Sequence, residues 1–261
     1  MQDNQRKWVN SKKGVNIVKV IIPKSLLRVL IVGLVLAALA AVAIHAIPEG
    51  VTVVVGKQET RTAPPVNNVT ADGGNITEIN ISASTQTAAW QGFYGEVNGS
   101  IILADTSGDM FYLWNITNMS GEIYSSLDGA IIFANIFPEN NCSRPNWLTG
   151  FGYSDSANNT FINNTNKQVQ VGNVIINAST ACSVYTYVSS AAQSSIFNEF
   201  ILTDDPNDGT NASIGGNTSV YTTIINKDTI GYDGVAHDYQ LLVPVNRTAG
   251  FNTYAFYAEL G

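Results

Sequence analysis

The chain is poor in the residues that build catalytic and metal sites. Its 261 residues include two Cys and two His, and only 13% are Asp, Glu, Lys or Arg. Two thiols cannot supply the four ligands of a structural zinc site. Twenty acidic residues outnumber thirteen basic ones, which argues against nucleic acid as a partner because such proteins need clustered Lys and Arg. No Gly-X-Ser-X-Gly or His-Glu-X-X-His motif occurs. We therefore expect no catalytic residue, no metal and no cofactor.

Asn-X-Ser/Thr sequons are what the chain has in excess. Random placement of its Asn, Ser and Thr would give about five, and each sequon is a potential N-glycan acceptor on exposed backbone. Thirteen occur, at Asn68, Asn75, Asn80, Asn98, Asn115, Asn118, Asn141, Asn158, Asn163, Asn177, Asn211, Asn217 and Asn246. Their density predicts a membrane-anchored or secreted glycoprotein.

One apolar segment divides the chain. Residues 29–47 contain no acidic residue, Lys or Arg, and their length lies between that of a signal peptide core and that of a spanning helix. Residues 1–28 carry a net charge of +6 and residues 49–261 a net charge of −13. This asymmetry predicts a basic cytoplasmic lead, a single-pass transmembrane helix or signal anchor, and a C-terminal domain outside the cell. Small residues within 38–43 leave cleavage open, and residues 12–15 (Lys-Lys-Gly-Val) resemble the processing site of archaeal type IV pilin-like precursors.

Beyond the apolar segment, strand-forming runs alternate with turn signals every 8–12 residues, which is typical of an antiparallel β-sandwich. We predict an all-β ectodomain over residues 75–261, preceded by a short strand and linker over 48–74. Val51–Val55 is the predicted short strand and Ile76–Ile81 the first ectodomain strand. Further strands are predicted at Trp90–Val97, Ser100–Ala104, Met110–Trp114, Glu122–Ser125, Ala130–Asn135, Gln168–Ile176, Ser183–Val188, Phe197–Leu202, Val220–Ile225, Gln240–Val245 and Thr253–Leu260. The dipeptides Asn98-Gly99 and Asp128-Gly129 predict tight hairpin turns.

The two cysteines are expected to form one disulfide. Cys142 and Cys182 both follow the apolar segment, and an even number of Cys outside the cell favours pairing. Two buried free thiols are the alternative.

Three other clusters invite a functional interpretation. His237, with Asp233 or Asp238, could serve a catalytic triad, although an ordinary structural His is the simpler interpretation. The acidic run that begins at Asp204-Asp205 resembles a calcium loop in composition but lacks its spacing. An aromatic run could form a carbohydrate platform, although alternating aromatics on strands more often belong to a core; it comprises Trp90, Phe93, Tyr94, Phe111, Tyr112 and Trp114.

Several short motifs resemble one family. They are Trp90-Gln91-Gly92-Phe93-Tyr94-Gly95, Leu103-Ala104-Asp105-Thr106-Ser107-Gly108, Gly121-Glu122-Ile123-Tyr124, Asp238-Tyr239-Gln240-Leu241-Leu242-Val243-Pro244 and Phe256-Tyr257-Ala258-Glu259-Leu260. Together they resemble uncharacterised archaeal cell-surface proteins with one N-terminal anchor. The resemblance covers about residues 88–261 and implies no activity.

The sequence leaves three functions open. We expect a noncatalytic cell-surface glycoprotein with a structural, adhesive or cell-contact role, whose partners are the membrane and proteins or glycans at the cell surface, with homo-oligomers possible. One alternative is a filament subunit joined by strand exchange through Val51–Val55, although we expect this segment to pair within its own domain. The other alternative is a carbohydrate-binding or carbohydrate-active protein that uses the loop over residues 137–166.

Overall fold

The protein is built almost entirely from antiparallel strands. A computed structural model describes residues 47–261 except 117, 143–152, 164–167, 173, 177–180, 190, 193–195, 205–218 and 249. Eighteen strands lie in the described residues: β1 (Glu49–Gly50), β2 (Trp90–Gly95), β3 (Ser100–Ala104), β4 (Met110–Asn115), β5 (Gly121–Ser126), β6 (Phe137–Pro138), β7 (Ile162–Asn163), β8 (Val169–Val171), β9 (Val174–Ile176), β10 (Cys182–Tyr185), β11 (Tyr187–Val188), β12 (Ala191–Ala192), β13 (Asn198–Thr203), β14 (Ser219–Ile224), β15 (Thr229–Ile230), β16 (Ala236–His237), β17 (Tyr239–Pro244) and β18 (Ala255–Leu260). A 3₁₀ turn at Phe133–Asn135 and a four-residue helix, α1 (Ala157–Thr160), are the helical elements of this part of the chain. The predicted all-β class is confirmed.

One large sheet organises the domain. Its strands follow the order β1-β18-β5-β14-β13-β10-β7, and β6 pairs with β13 off this path. β13 is buried along all six residues, because apolar clusters cover both faces of the sheet. The predicted strand at Thr253–Leu260 is β18, which holds the chain's last residues against β5.

Alternate side chains of this sheet pack into two different apolar clusters, one on each face. On one face Tyr124, Phe200 and Leu202 are buried together with residues of the β8–β9 hairpin. On the other face Ile201 and Tyr221 pack with Leu241 and Val243 of β17, with further cover from β2, which pairs with β17 along six residues. The period-two alternation of apolar residues thus serves two layers rather than one core and one solvated face.

Both hairpin predictions from the turn dipeptides are wrong. Asn98-Gly99 does not join β2 to β3 as a hairpin, because β2 pairs with β17 and β3 with β4. Gly99 instead lies against the Leu260 side chain, where a Cβ atom would collide with it. Beyond Asp128-Gly129, no strand forms over residues 130–135, because Phe133 turns into the core within the 3₁₀ turn.

Other predicted strands are shifted or divided. Gln168–Ile176 is not one strand but the hairpin β8–β9, since Gly172 at its turn adopts a φ of 54°. Ser183–Val188 is divided between β10 and β11.

The two predicted strands before residue 82 are also wrong. Val51–Val55 and Ile76–Ile81 are exposed and belong to no strand. Pairing within the domain does occur just upstream, where Glu49 and Gly50 align with Ala258 and Tyr257 of β18. The backbone N–H of Val51 continues this ladder by donating to the Phe256 carbonyl at 3.3 Å, and pairing then stops. Strand propensity without a partner strand is insufficient to form a strand.

The predicted disulfide is present. Cys142 and Cys182 are bonded, with their Cα atoms 5.4 Å apart. Cys182 begins β10, and its bond ties the segment after β6 to the sheet. It closes a loop of 40 residues in sequence separation.

Almost all of the predicted membrane segment lies outside the residues that the structure describes. Residues 29–46 and the basic lead 1–28 are not among the described residues. Within those that are, no helix has the length and apolar character needed to cross a membrane.

Candidate interaction surface

The β3–β4 hairpin has a rigid turn and an unusual surface. The Asp105 carboxylate accepts the backbone N–H groups of Ser107 and Asp109, each at 2.9 Å. Gly108 supplies the left-handed conformation at a φ of 86°. β3 and β4 pair only with each other within the described residues, so the outer edge of each strand is open. All eleven residues of the two strands are exposed.

The hairpin is apolar on both faces. Register places Ile101 opposite Trp114 and Leu103 opposite Tyr112 on one face, called face A. Face B carries Ile102 and Leu113, with Phe111 and Asn115 also on this side. The eight large apolar side chains of the hairpin retain 41% to 83% of their accessible area. Together they expose about 800 Å², more than the few hundred Å² of a typical monomer's largest apolar patch.

The base of the hairpin is fixed at the C-terminal end of β18. Gly99, just before β3, packs against Leu260. A shallow depression beside it is lined by Ile101 and Trp114 of face A and by Gly261, together with Asn115, Ile116 and Asn118. The chain terminus is itself held there, since Gly261 and Ser120 exchange backbone hydrogen bonds at 3.1 and 3.3 Å.

A second exposed feature is the segment over residues 51–88, called the arm. It links β1 to β2, and each of its residues is exposed. Val54 and Val55 retain 87% and 85% of their accessible area. Few hydrogen bonds shape the arm internally; one is donated by the Arg61 guanidinium to the Ser84 carbonyl at 2.9 Å. The arm therefore presents strand-forming apolar residues that no part of the described domain covers.

The predicted aromatic run is divided between core and surface. Trp90 and Phe93 of β2 are partly buried and pack against the apolar cluster that includes Leu241 and Val243 of β17, as expected for alternating strand residues. Phe111, Tyr112 and Trp114 do not, and the expectation of a core position is wrong for them. Tyr112 and Trp114 contact each other on face A, with ring centroids 4.7 Å apart. No local sequence signal separates these two aromatic groups, because both lie on strongly β-forming runs.

Most sequons with a described side chain lie at the surface. Eight of these nine Asn residues are exposed: Asn68, Asn75, Asn80, Asn98, Asn115, Asn118, Asn141 and Asn158. The ninth, Asn246, is half-buried, and its side-chain oxygen accepts the Thr248 N–H at 2.9 Å. The side chains of Asn163, Asn177, Asn211 and Asn217 are outside the described set.

The other predicted clusters resolve into structural contacts. His237 is buried, its Nε2 lies 2.9 Å from Asp233, and its ring contacts Tyr94 and Tyr232. Asp238 accepts the N–H groups of Val97 and Asp228; these bonds hold its pKa below the usual value despite burial. The acidic run after Asp204 is outside the described residues. Among those described, no cluster of three His, Cys or acidic residues could hold a metal ion.

Glutamates that are buried or half-buried in the large sheet are a feature that the sequence pattern does not reveal; Glu122 is half-buried, and Glu259 and Glu199 are buried. Glu122 and Glu259 are cross-strand neighbours in β5 and β18. Burial, and then the nearby Glu259 carboxylate, raises the pKa of Glu122 to about 8. Glu199 of β13 is fully buried. Burial raises its pKa well above the usual value, although the Leu242 N–H that donates to it at 2.6 Å has the opposite effect. The alternation of apolar and polar residues predicts only that these glutamates lie in strands, and it does not indicate their burial.

Comparison with family models, with curated proteins and with solved structures gives no match to this chain.

Proposed function

We propose that this protein is a noncatalytic cell-surface glycoprotein with a structural, adhesive or cell-contact role. The segment 29–47 would anchor it in the membrane with residues 1–28 inside the cell. A β-sandwich ectodomain would stand outside, as in the anchored archaeal surface proteins that the chain resembles. The supporting observation is that eight of the nine described sequon Asn side chains are exposed, so glycans could be attached without unfolding the domain. The charge asymmetry across residues 29–47 and the disulfide agree with this orientation.

Mass spectrometry of protein isolated from its native cells tests this proposal. We expect glycan mass on peptides that carry the exposed sequons. Protease added to intact cells should degrade the C-terminal domain and spare residues 1–28. Unmodified Asn at every sequon would refute the glycoprotein, and a domain protected until the cells are lysed would refute the orientation.

A filament subunit joined by strand exchange is the second candidate function. The observation that favours it is the uncovered arm, which begins directly after the short pairing of β1 with β18. β-Strand addition is a general mode of joining proteins, in which main-chain hydrogen bonds supply affinity. Electron microscopy of cell-surface material with an antibody against the domain should show labelled filaments. A monodisperse monomer in detergent and at the cell surface would exclude this candidate.

A carbohydrate-binding role would use the exposed Tyr112 and Trp114 rings of face A, because sugar rings stack on aromatic side chains. Glycan binding that is lost on Trp114→Ala and retained on Phe111→Ala, a change on face B, would favour this third candidate over assembly.

A further inference from the structure

We propose that face A of the β3–β4 hairpin is the acceptor for the Val51–Val55 segment of a second copy of this chain, which joins copies head to tail. This inference rests on the filament candidate. It adds the surface that receives the exchanged strand, the face of that surface that is used, and the polarity of the assembly.

The exposed area fits an interface between proteins. The four large apolar side chains of face A hold about half of the hairpin's exposed apolar area, which suits a contact with one short strand and is smaller than the roughly 800 Å² that each partner contributes to a standard stable interface. Both outer edges of the hairpin are open within the described residues, so a strand added at one edge could pair through its main chain and place alternate side chains beside those of face A. The occupant must be apolar and strand-forming, because the hairpin carries no charge outside its turn.

The arm contains two candidate donors, and Val51–Val55 fits better. The Val51–Val55 segment contains no charged residue, and no sequon lies between Val51 and Asn68. Ile76–Ile81 contains Glu78 and the sequon at Asn80. A strand docked with Glu78 against apolar side chains would incur a desolvation cost that the valine segment avoids.

Glycan positions select the face. Asn115 lies on face B, opposite Ser100, and is a sequon residue exposed to solvent. A glycan there would cover the base of face B. Face A carries Ile101, Leu103, Tyr112 and Trp114 and no sequon residue. The sequon residues Asn115 and Asn118 line the depression at its base, so the part of face A near the turn, around Leu103 and Tyr112, stays open to protein.

Chain direction favours a second copy over the chain's own hairpin. β1 runs antiparallel to β18, with Glu49 at Ala258 and Val51 bonded to Phe256. The valine segment therefore leaves toward the start of β18. The hairpin base lies at the opposite end, against Leu260. Four residues of strand separate Phe256 from Leu260, about 13 Å at the usual rise.

Donor and acceptor thus lie toward opposite ends of one strand. A contact that joins two different surfaces of identical molecules is heterologous, and it generates open chains when the rotation does not close a ring. The expected assembly is a filament rather than a two-fold dimer.

Thiol cross-linking in the full-length protein tests the contact. The described part of the protein has no free cysteine, so any new disulfide must involve the introduced thiols. We would mix one chain with Val54→Cys and another, differently tagged, with Leu103→Cys. The expected result is a disulfide that joins the two differently tagged chains. Ile175→Cys is the control, because Ile175 is an exposed apolar residue of a different hairpin, β8–β9; it should not cross-link to Val54→Cys.

A matched pair of substitutions tests the face. Ile102 and Leu103 are adjacent, lie on opposite faces and retain 50% and 51% of their accessible area. Leu103→Asp should raise the concentration needed for half-assembly at least tenfold, and Ile102→Asp less than threefold. Circular dichroism checks that both variants are folded.

The possible outcomes distinguish a wrong acceptor surface from a wrong filament candidate. If the wild type assembles and Leu103→Asp assembles equally well, the acceptor is wrong and the filament candidate survives. A third variant carries both Val54→Cys and Leu103→Cys. If the mixed chains give no disulfide and this variant closes one within its own chain, the segment docks on its own hairpin and exchange is overturned. A wild type that does not assemble, together with cysteine variants that do not cross-link, overturns both the acceptor and the filament candidate.

Discussion

The pair Glu122 and Glu259 should make this protein more stable in acid than at neutral pH. Their Cα atoms are register partners in β5 and β18, and they lie on the sheet face that the β8–β9 hairpin covers. The Glu259 carboxylate accepts the Gly172 N–H at 2.9 and 3.0 Å and a hydrogen bond from the Tyr124 hydroxyl at 3.2 Å. These hydrogen bonds are donated to Glu259 and not to Glu122. Burial of Glu122, and then the negative charge of the neighbouring Glu259, therefore raise the pKa of Glu122.

The sign and size follow from proton linkage. Glu122 has a pKa of about 8 in the folded protein, whereas the ordinary value for a Glu side chain is 4.5. Since the folded state holds the proton more tightly, the full contribution to stability is present below pH 4.5 and is lost as pH rises through 8. A shift of this size corresponds to at most about 5 kcal/mol, lost at up to about 1.4 kcal/mol per pH unit. A typical domain is stable by only about 5–15 kcal/mol, so the effect is measurable.

Denaturant unfolding of the full-length chain at pH 5, 6, 7 and 8 measures this dependence. Wild-type stability should fall across the series. Glu122→Gln keeps the shape of the protonated side chain without its titration, so it should reduce the slope by up to about 1.4 kcal/mol per pH unit. The fully buried Glu199 has a raised pKa and should account for further slope, removed in the Glu122→Gln/Glu199→Gln double variant. Glu96→Gln, the same substitution at an exposed residue, is the matched control variant. Wild-type stability that rises from pH 5 to 8, or a slope unchanged by Glu122→Gln, would refute the reasoning.

Three further predictions concern stability and modification. Replacing Cys142 and Cys182 together by Ser should cost about 3–4 kcal/mol in the chain-entropy model, measured by non-reducing denaturant unfolding; a loss below about 1 kcal/mol would contradict this. Gly121→Ala should destabilise by more than about 2 kcal/mol, because φ is 119° and a Cβ would collide with the Glu259 carbonyl; an unchanged melting temperature would argue against this packing. Asn246 should carry less glycan than the exposed sequons, since its side chain is half-buried, and site-resolved mass spectrometry showing equal occupancy would contradict it.

Much of the sheet could be predicted from the sequence because its strands alternate strongly. The run Thr253–Leu260 predicts β18, and the run Val220–Ile225 predicts β14 within a residue. Pairing could not be predicted in the same way. Asn98-Gly99 is a strong local hairpin signal, but the contact of Gly99 with Leu260 joins residues far apart in sequence, and such contacts decide which strands meet.

The candidate interaction surface is harder to predict from the sequence than the fold. Cys142 and Cys182 could be paired from composition and compartment, and that required no geometry. The exposed Tyr112 and Trp114 could not be distinguished from the core residues Trp90 and Phe93, since burial depends on which layer a hairpin joins. Glu122 was recognised only as a strand residue, because its burial depends on the neighbouring strands.

The remaining errors share one physical form. Val51–Val55 and Ile76–Ile81 have strand-forming composition without a strand, and the β3–β4 hairpin has core-like residues without a core. A single chain leaves both unsatisfied, although exposed apolar strands favour association. Under the proposed exchange, the missing strand partner and the missing core are supplied by the same contact between two copies. Sequence propensity would then describe Val51–Val55 in the assembly, where the folded monomer leaves it uncovered. Disulfide trapping of Val54→Cys on Leu103→Cys of another chain therefore tests the interface and also the reason why these predictions fail for the isolated molecule.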